Sequence, residues 1–302
     1  MLVSACLRNA ATENQEIDIG TNFHCYTTPT PPSIASMADP SPSSQSTEPA
    51  WNDARLAQSP HQDPEKAARV RSMFGAIAHC YDFNNRLHSF GLDQRWRRRT
   101  VVEVRHRLGR ENFSGVRVLD VACGTGDLTQ AFALAGATVV GADYTPAMLE
   151  VARVKSQRMQ RRNAPTYVHG DATALHFANE SFDAITIAFG LRNVGDVSAA
   201  ISEFHRVLRP GGVLGVLEFG LPSWAPARWV HRLYTERIMP ITATLISRDR
   251  SGAYHYLPRS VETFLSPEGV ARAATNAGFI EVKTQRLTLG TCALTTALRR
   301  AV

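Results

Sequence analysis

Residues 116–127 read VRVLDVACGTGD, and the fold follows from how that string is understood. Val116, Val118, Leu119 and Val121 form a short apolar run that Gly124 and Gly126 close at once. A run of this length, rich in β-branched residues and ended by a glycine turn, reads as a buried strand, with the helix that leaves it over 127–135. The same alternation recurs downstream. Strands are predicted at 138–143, 166–169, 182–189 and 213–219, with helices at 146–162 and 197–208 between them. That rhythm predicts an α/β fold built on a parallel, doubly wound sheet.

The flanks complete the plan. Asp63-Pro64-Glu65 has the N-cap, first-turn proline and acidic residue of a helix start, and the stripe Val70, Met73, Ile77 continues it. A second helix is expected over 93–108, so that 65–110 forms a helical cover. Residues 223–264 break the alternation and read as a second, helical and irregular cover. Ser266-Pro267-Glu268 then starts a helix that Gly278 stops. Strands over 279–284 and 287–298 close a seven-stranded sheet with a C-terminal antiparallel hairpin.

Residues 1–64 differ from the rest. They hold half of the 16 prolines and carry a net charge of −5, whereas the chain as a whole carries +6. Dense in Ser, Thr and Pro over 27–64, they read as a disordered leader preceding one domain over 65–302. No apolar run is long enough to span a bilayer, and the N-terminus lacks the basic and long apolar regions of a secretory signal. Cysteines 6, 25, 80, 123 and 292 show no CxxC spacing, so neither a disulfide framework nor a zinc site is expected. The chain reads as cytoplasmic, with no metal.

Three positions bear on a ligand. Gly124-Thr125-Gly126 lets backbone approach a ligand closely, but the third glycine of a dinucleotide fingerprint is replaced by Thr129. A plain strand–helix turn is the alternative. Asp143, 23 residues after Asp120, ends the second strand, where a carboxylate can accept both hydroxyls of a ribose. Asp171-Ala172 ends the third strand, where a carboxylate can take the exocyclic amine of adenine or merely cap a turn. All three lie at the strand ends where open α/β sheets bind ligands.

Taken together, VLDVACGTGDLT, GADYTPAML, GDATALHFANESFDAITIAFGLRNV and EFHRVLRPGGVLGVLEF resemble class I S-adenosylmethionine-dependent methyltransferases. YDFNNRLHSFGLDQRWRR over 81–98, FGLRNV over 189–194 and the segment 214–219 narrow the resemblance to the ubiquinone/menaquinone C-methyltransferase family, across roughly 66–290. The resemblance implies S-adenosyl-L-methionine as cofactor, held by the loop Gly124, Thr125, Gly126, by Asp143 at the ribose and by Asp171 and Ala172 at the adenine. The family often has Ser where this chain has Ala188, so a hydroxyl contact there is missing.

Methyl transfer from a sulfonium to carbon needs an aligned nucleophile, and a quinol ring carbon becomes nucleophilic when its hydroxyl loses a proton or is strongly polarised. Arg192 is expected to stabilise the developing quinolate and Asn193 to orient it; the alternative is that Arg192 pairs with an acidic neighbour and shapes its loop. Arginine stays protonated and is not a base. Tyr81 would pack on or hydrogen-bond to the ring, and Asp82 would act on a proton or serve as a helix cap. His79, His169, His205 and His255 are further candidates, with His205 expected to be structural. Arg86–Arg110, with eight arginines and interleaved apolar residues, reads as a solvated face, a contact with an anionic membrane, or a nucleic-acid surface without any RNA-binding module. The expected activity is C-methylation of a polyprenylated quinol, demethylmenaquinol ahead of 2-methoxy-6-polyprenyl-1,4-benzoquinol, by an enzyme peripheral at the inner face of the cytoplasmic membrane, with homo-oligomerisation open and no nucleic-acid partner. A non-catalytic quinone- or lipid-binding protein on the same scaffold is the alternative of another class.

Overall fold

The structure, a computed structural model, describes residues 49–159 and 163–301. Its centre is a seven-stranded sheet of β1 (Arg117–Val121), β2 (Thr138–Asp143), β3 (Thr166–His169), β4 (Phe182–Ala188), β5 (Leu208–Phe219), β6 (Phe279–Leu287) and β7 (Cys292–Arg299). The spatial order is β3-β2-β1-β4-β5-β7-β6. The first five strands are parallel, with Val118 opposite Val139 on one side and Ala184 on the other. β7 runs antiparallel to both β5 and β6, which is the expected hairpin. The order reverses beside β1, and that switch point leaves a crevice at the carboxyl ends of β1 and β4.

The helices, in chain order, are α1 (Asp53–Leu56), α2 (Lys66–Ile77), α3 (Tyr81–His88), α4 (Leu92–Arg107), α5 (Asp127–Leu134), α6 (Pro146–Gln157), α7 (Val197–Val207), α8 (Ala225–Leu233), α9 (Met239–Ser247), α10 (Ala253–Glu262) and α11 (Pro267–Asn276). One core joins the sheet to α7 and α11 through Ile201, Phe204, Val207 and Val270. Another joins it to α4 and α5 through Trp96, Val104, Leu128 and Phe132. Central strands are therefore apolar on both faces, which explains their unbroken hydrophobic runs. The start signal of α11 operates, the Ser266 side chain accepting from the Gly269 N–H and Pro267 opening the helix. By contrast, α2 starts at Lys66, past the expected Asp63-Pro64-Glu65 cap, with Asp63 accepting from the Glu65 N–H in the turn before it.

Two expectations need correction. The expected leader lies outside the described residues over 1–48, but 49–64 is packed structure. Trp51 is buried and stacks on Tyr256 with ring centroids 4.6 Å apart. It belongs to a third core with Met73 and Ile77 of α2, Ala243 of α9 and Tyr254 of α10. One tryptophan among polar residues offers no period, so composition hid its role. The second correction is α3, which the sequence reading passed over: YDFNNRLH has a polar, asparagine-rich composition with little helix propensity, and tertiary contacts hold it.

Candidate active site

Two cavities lie over the carboxyl ends of the central strands. The smaller, about 510 Å³, is bordered by Gly124, Asp143, Asp171 and Ala172, with Tyr144 and Ala188 beside them. Asp143 is nearly buried, and each oxygen already accepts one backbone N–H: Oδ2 from Gly124 at 2.8 Å and Oδ1 from Thr145 at 2.7 Å. A carboxylate has about four lone-pair directions, so two remain for a pair of hydroxyls. Burial pushes this carboxyl above its usual range, against the pull of the two N–H bonds. Asp171 Oδ1 accepts from the Thr173 N–H and hydroxyl, so it does serve as a turn residue, and it borders the cavity as well. The cavity has room for an adenosine-sized group, and its carboxylates are acceptors of the kind that ribose hydroxyls and an amine require.

The glycine loop is divided in its duties. Gly124, at φ +56°, gives its N–H to Asp143 and lines the cavity. Gly126 instead lets Tyr167 approach: a Cβ there would come within 2.5 Å of the Tyr167 hydroxyl oxygen. Thr125 is turned away too. Its hydroxyl donates to Asp82 on α3, and neither Thr125 nor Gly126 borders the cavity. Thr125 thus ties the loop to α3, and Gly126 leaves room for Tyr167. Beneath it, fully buried Asp120 accepts from Thr129 at 2.6 Å and Thr186 at 3.0 Å; burial raises its pKa to about 6.

Asp82 reaches a further group. Lys155 Nζ of α6 donates to Asp82 Oδ2 and to Asp127 Oδ1, each at 2.6 Å. Despite burial, Lys155 and Arg97 hold the Asp127 carboxyl well below the ordinary carboxylate range. α3, the glycine loop and α6 are thus joined through one ammonium group, and Asp82 acts as a tie instead of a proton acceptor poised over a ring.

The larger cavity, about 850 Å³, is mainly apolar. Trp96, Phe189, Phe219 and Leu92 face it, and Arg97 and Arg192 reach it. Phe189 and Phe219 stack at 4.4 Å, with the Arg97 guanidinium 5.2 Å from the Phe189 ring and that of Arg192 5.1 Å from the Phe219 ring. Arg192 Nη1 donates to Glu218 Oε1 at 2.7 Å and to the Phe189 carbonyl. So it has the acidic partner that the alternative required, and it lines the cavity nonetheless. Its Nε, like that of Arg97, is buried without a hydrogen-bond partner. Asn193 borders the smaller cavity, but its side chain is engaged: Oδ1 accepts from Tyr256 at 2.8 Å and Nδ2 donates to the Phe189 carbonyl at 3.4 Å. Tyr81 belongs to both cavities, as do Phe74 and Phe189. Burial raises the Tyr81 phenol pKa, so it is a donor at neutral pH.

The sequence matches the ubiE/COQ5 methyltransferase family over residues 62–299. The chain belongs to that family. It is similar to a demethylmenaquinone methyltransferase of Thermus thermophilus, 45% identical over 224 residues that cover 74% of this chain and 97% of the relative. It is also similar to a ubiquinone/menaquinone biosynthesis C-methyltransferase of a Geobacter species, 40% identical over 75% of this chain and 94% of that one. Among solved structures, a protein in complex with the Trm112 methyltransferase activator of Haloferax volcanii superposes with a TM-score of 0.52 at 17% identity, over 77% of this chain and 98% of that one. The [4+2]-cyclase SpnF gives a TM-score of 0.51 at 19% identity, over 68% and 81%. At such identities the likeness is one of fold, and SpnF illustrates that this fold carries more than one reaction.

Several residues of this methyltransferase escaped the sequence reading. Lys66 is buried and donates to the Val194 carbonyl at 2.6 Å, tying α2 to the FGLRNV loop. Gly190 in that loop packs so closely that a Cβ would come within 2.5 Å of the Ala122 Cβ. His88 and His231 line the larger cavity, each with one buried ring nitrogen lacking a partner. Of the histidines singled out from sequence, His255 lines that cavity and His79, His169 and His205 line neither. His205 packs edge-on against Phe279, the structural role expected.

Proposed function

We propose that this enzyme transfers the methyl group of S-adenosyl-L-methionine to a ring carbon of a polyprenylated quinol, demethylmenaquinol being the preferred acceptor. One observation carries this reading: the smaller cavity, which Asp143 and Asp171 border, and the mainly apolar cavity, which Arg97 and Arg192 reach, share the wall of Phe74, Tyr81 and Phe189. Asp143 would take the ribose hydroxyls, Asp171 and Ala172 the adenine, and Gly124 would line the approach. When bound, the sulfonium supplies the methyl electrophile. The protein's share is alignment and exclusion of water, with a ceiling of about 7–11 kcal/mol.

In the apolar cavity, Arg192 and Arg97 offer cationic N–H donors to the quinol oxygen as negative charge develops on it. Tyr81 packs against the ring or donates to it, and Asn193 holds the FGLRNV loop at the shared wall. Demethylmenaquinol is favoured by the name of the Thermus thermophilus relative; the Geobacter relative's name also covers ubiquinone, and 2-methoxy-6-polyprenyl-1,4-benzoquinol is the second reading. A polyprenyl acceptor dissolves in bilayers, so the enzyme would meet it as a peripheral protein at the inner face of the cytoplasmic membrane; no helix among the described residues is long and apolar enough to cross one.

Mass spectrometry of the quinone pool after deletion of the gene tests the reading. A menaquinone species lighter by one methyl should accumulate and disappear on complementation. Accumulation of an unmethylated benzoquinone would favour the second reading, and an unchanged pool would reject both.

A further inference from the structure

Nine of the seventeen exposed large apolar side chains among the described residues fall within residues 221–246. On α8 and its N-cap they are Trp224, Trp229, Val230 and Leu233. Across a π-helical turn over Tyr234–Ile238, they continue as Ile238, Ile241, Leu245 and Ile246. Ile238, Ile241 and Leu245 recur at three- and four-residue steps, one face of a helix. Trp229 is 67% exposed, Ile241 64% and Leu245 73%, so this face has no cover within the described residues. Phe90, 78% exposed at the end of α3, adjoins it through its ring contact with Tyr234 at 5.8 Å.

The surroundings indicate what would cover it. Residues 224–250 carry five arginines against Glu236 and Asp249. Exposed Arg237, Arg248 and Arg250 make no ion pair among the described residues. Tryptophan beside arginine around an apolar face suits the headgroup level of a bilayer. The apolar cavity also reaches solvent here: Phe90, Leu221, Arg232 and Glu236 line it and are exposed.

We infer that α8, the π-helical turn and α9, with Phe90, form a docking face for an anionic lipid bilayer, seated so that the cavity mouth meets the acyl region. The inference rests on the proposed polyprenylated acceptor, whose tail then stays in the lipid while its ring enters the cavity. Docking is in-plane, since the helical run over 225–247 carries Arg228, Arg232, Glu236 and Arg237 and is too charged to span. It keeps Phe90 of the Arg86–Arg110 stretch but moves the membrane contact away from the arginines of α4, where Arg97 is buried and Arg107 is paired with Glu281.

Co-sedimentation of the full chain with vesicles of phosphatidylcholine, with and without 30% phosphatidylglycerol, tests the inference. The wild type should bind the anionic vesicles, more weakly as salt rises. The triple variant Trp229→Ser, Ile241→Ser, Leu245→Ser should lose at least tenfold in binding, and Arg237→Glu severalfold, while Arg98→Glu with Arg105→Glu on α4 binds as the wild type does. Unchanged thermal unfolding and S-adenosylmethionine titration of the variants keep misfolding apart. Binding undiminished in the triple variant, or lost only in the α4 variant, overturns the proposal. So does a dimer by light scattering that the triple variant dissociates, which would give the face to a second copy. Methylation of a short-chain quinol in vesicle-free solution reads the proposed reaction separately: its absence would reject that reaction even if vesicles bind.

Discussion

Arg192 and Glu218 form an ion pair at 2.7 Å with both side chains nearly buried, joining the loop after β4 to the end of β5. Glu218 also accepts from the backbone N–H groups of Arg192 and Phe219. Removing one partner leaves a buried charge without compensation, so Arg192→Met should cost about 3–5 kcal/mol in urea unfolding. Adding Glu218→Leu should recover most of that loss. If Arg192 also stabilises the quinolate, turnover of the double variant stays down at least a hundredfold; recovered turnover would confine Arg192 to a structural role.

Asp143 has one oxygen facing the Gly124 N–H and the other facing the Thr145 N–H. In Asp143→Asn one of those donors meets an amide NH₂, and a hydroxyl acceptor is lost. S-adenosylmethionine affinity should fall at least tenfold by isothermal titration, the equivalent of about 1.4 kcal/mol or more. An unaltered dissociation constant would remove Asp143 from the cofactor site.

The tie from Asp82 to Thr125 and Lys155 fixes the helix that carries Tyr81. Asp82→Ala leaves Lys155 paired with Asp127, so folding should survive at a cost of about 1–2 kcal/mol. Because Tyr81 borders both cavities, KM should rise for cofactor and acceptor together. A rise confined to one of them would contradict this linkage.

Lys66 gives a pH signature. Burial first, then the nearby Arg192 charge, brings its amine down from 10.5 to about 8. Between those values the unfolded chain binds the extra proton, so folded stability rises as pH climbs from about 8 towards 10.5. Relative to Lys66→Met, the wild type should gain up to about 3 kcal/mol across that window, measured by urea unfolding at pH 7.5 and pH 10. A constant difference between the two proteins would show that the amine is not desolvated.

The sheet was legible because its strands are short apolar runs punctuated by turns, and β1, β2, β3 and β4 lie within a residue or two of their expected ends. The crevice followed, since Asp143 and Asp171 end neighbouring strands. What the sequence did not disclose depends on long-range partners. Glu218 lies 26 residues beyond Arg192 inside an apolar strand, and nothing local marks it as a counter-ion. Lys66 looks like any charge in the first turn of a helix until the Val194 carbonyl, 128 residues away, comes to meet it. Thr125 and Gly126 carry the motif yet serve the loop's own packing, because a motif fixes backbone path more firmly than the direction of each side chain.

The rings of Phe74, Tyr81 and Phe189 are a party wall between two chambers, and a party wall cannot be moved for one tenant alone. Enlarging the proposed acceptor side by trimming any of the three would also reshape the chamber proposed for the donor. Broadening this enzyme to bulkier rings is therefore better attempted from the far side of the large chamber, at Met239, which does not border the chamber proposed for the donor.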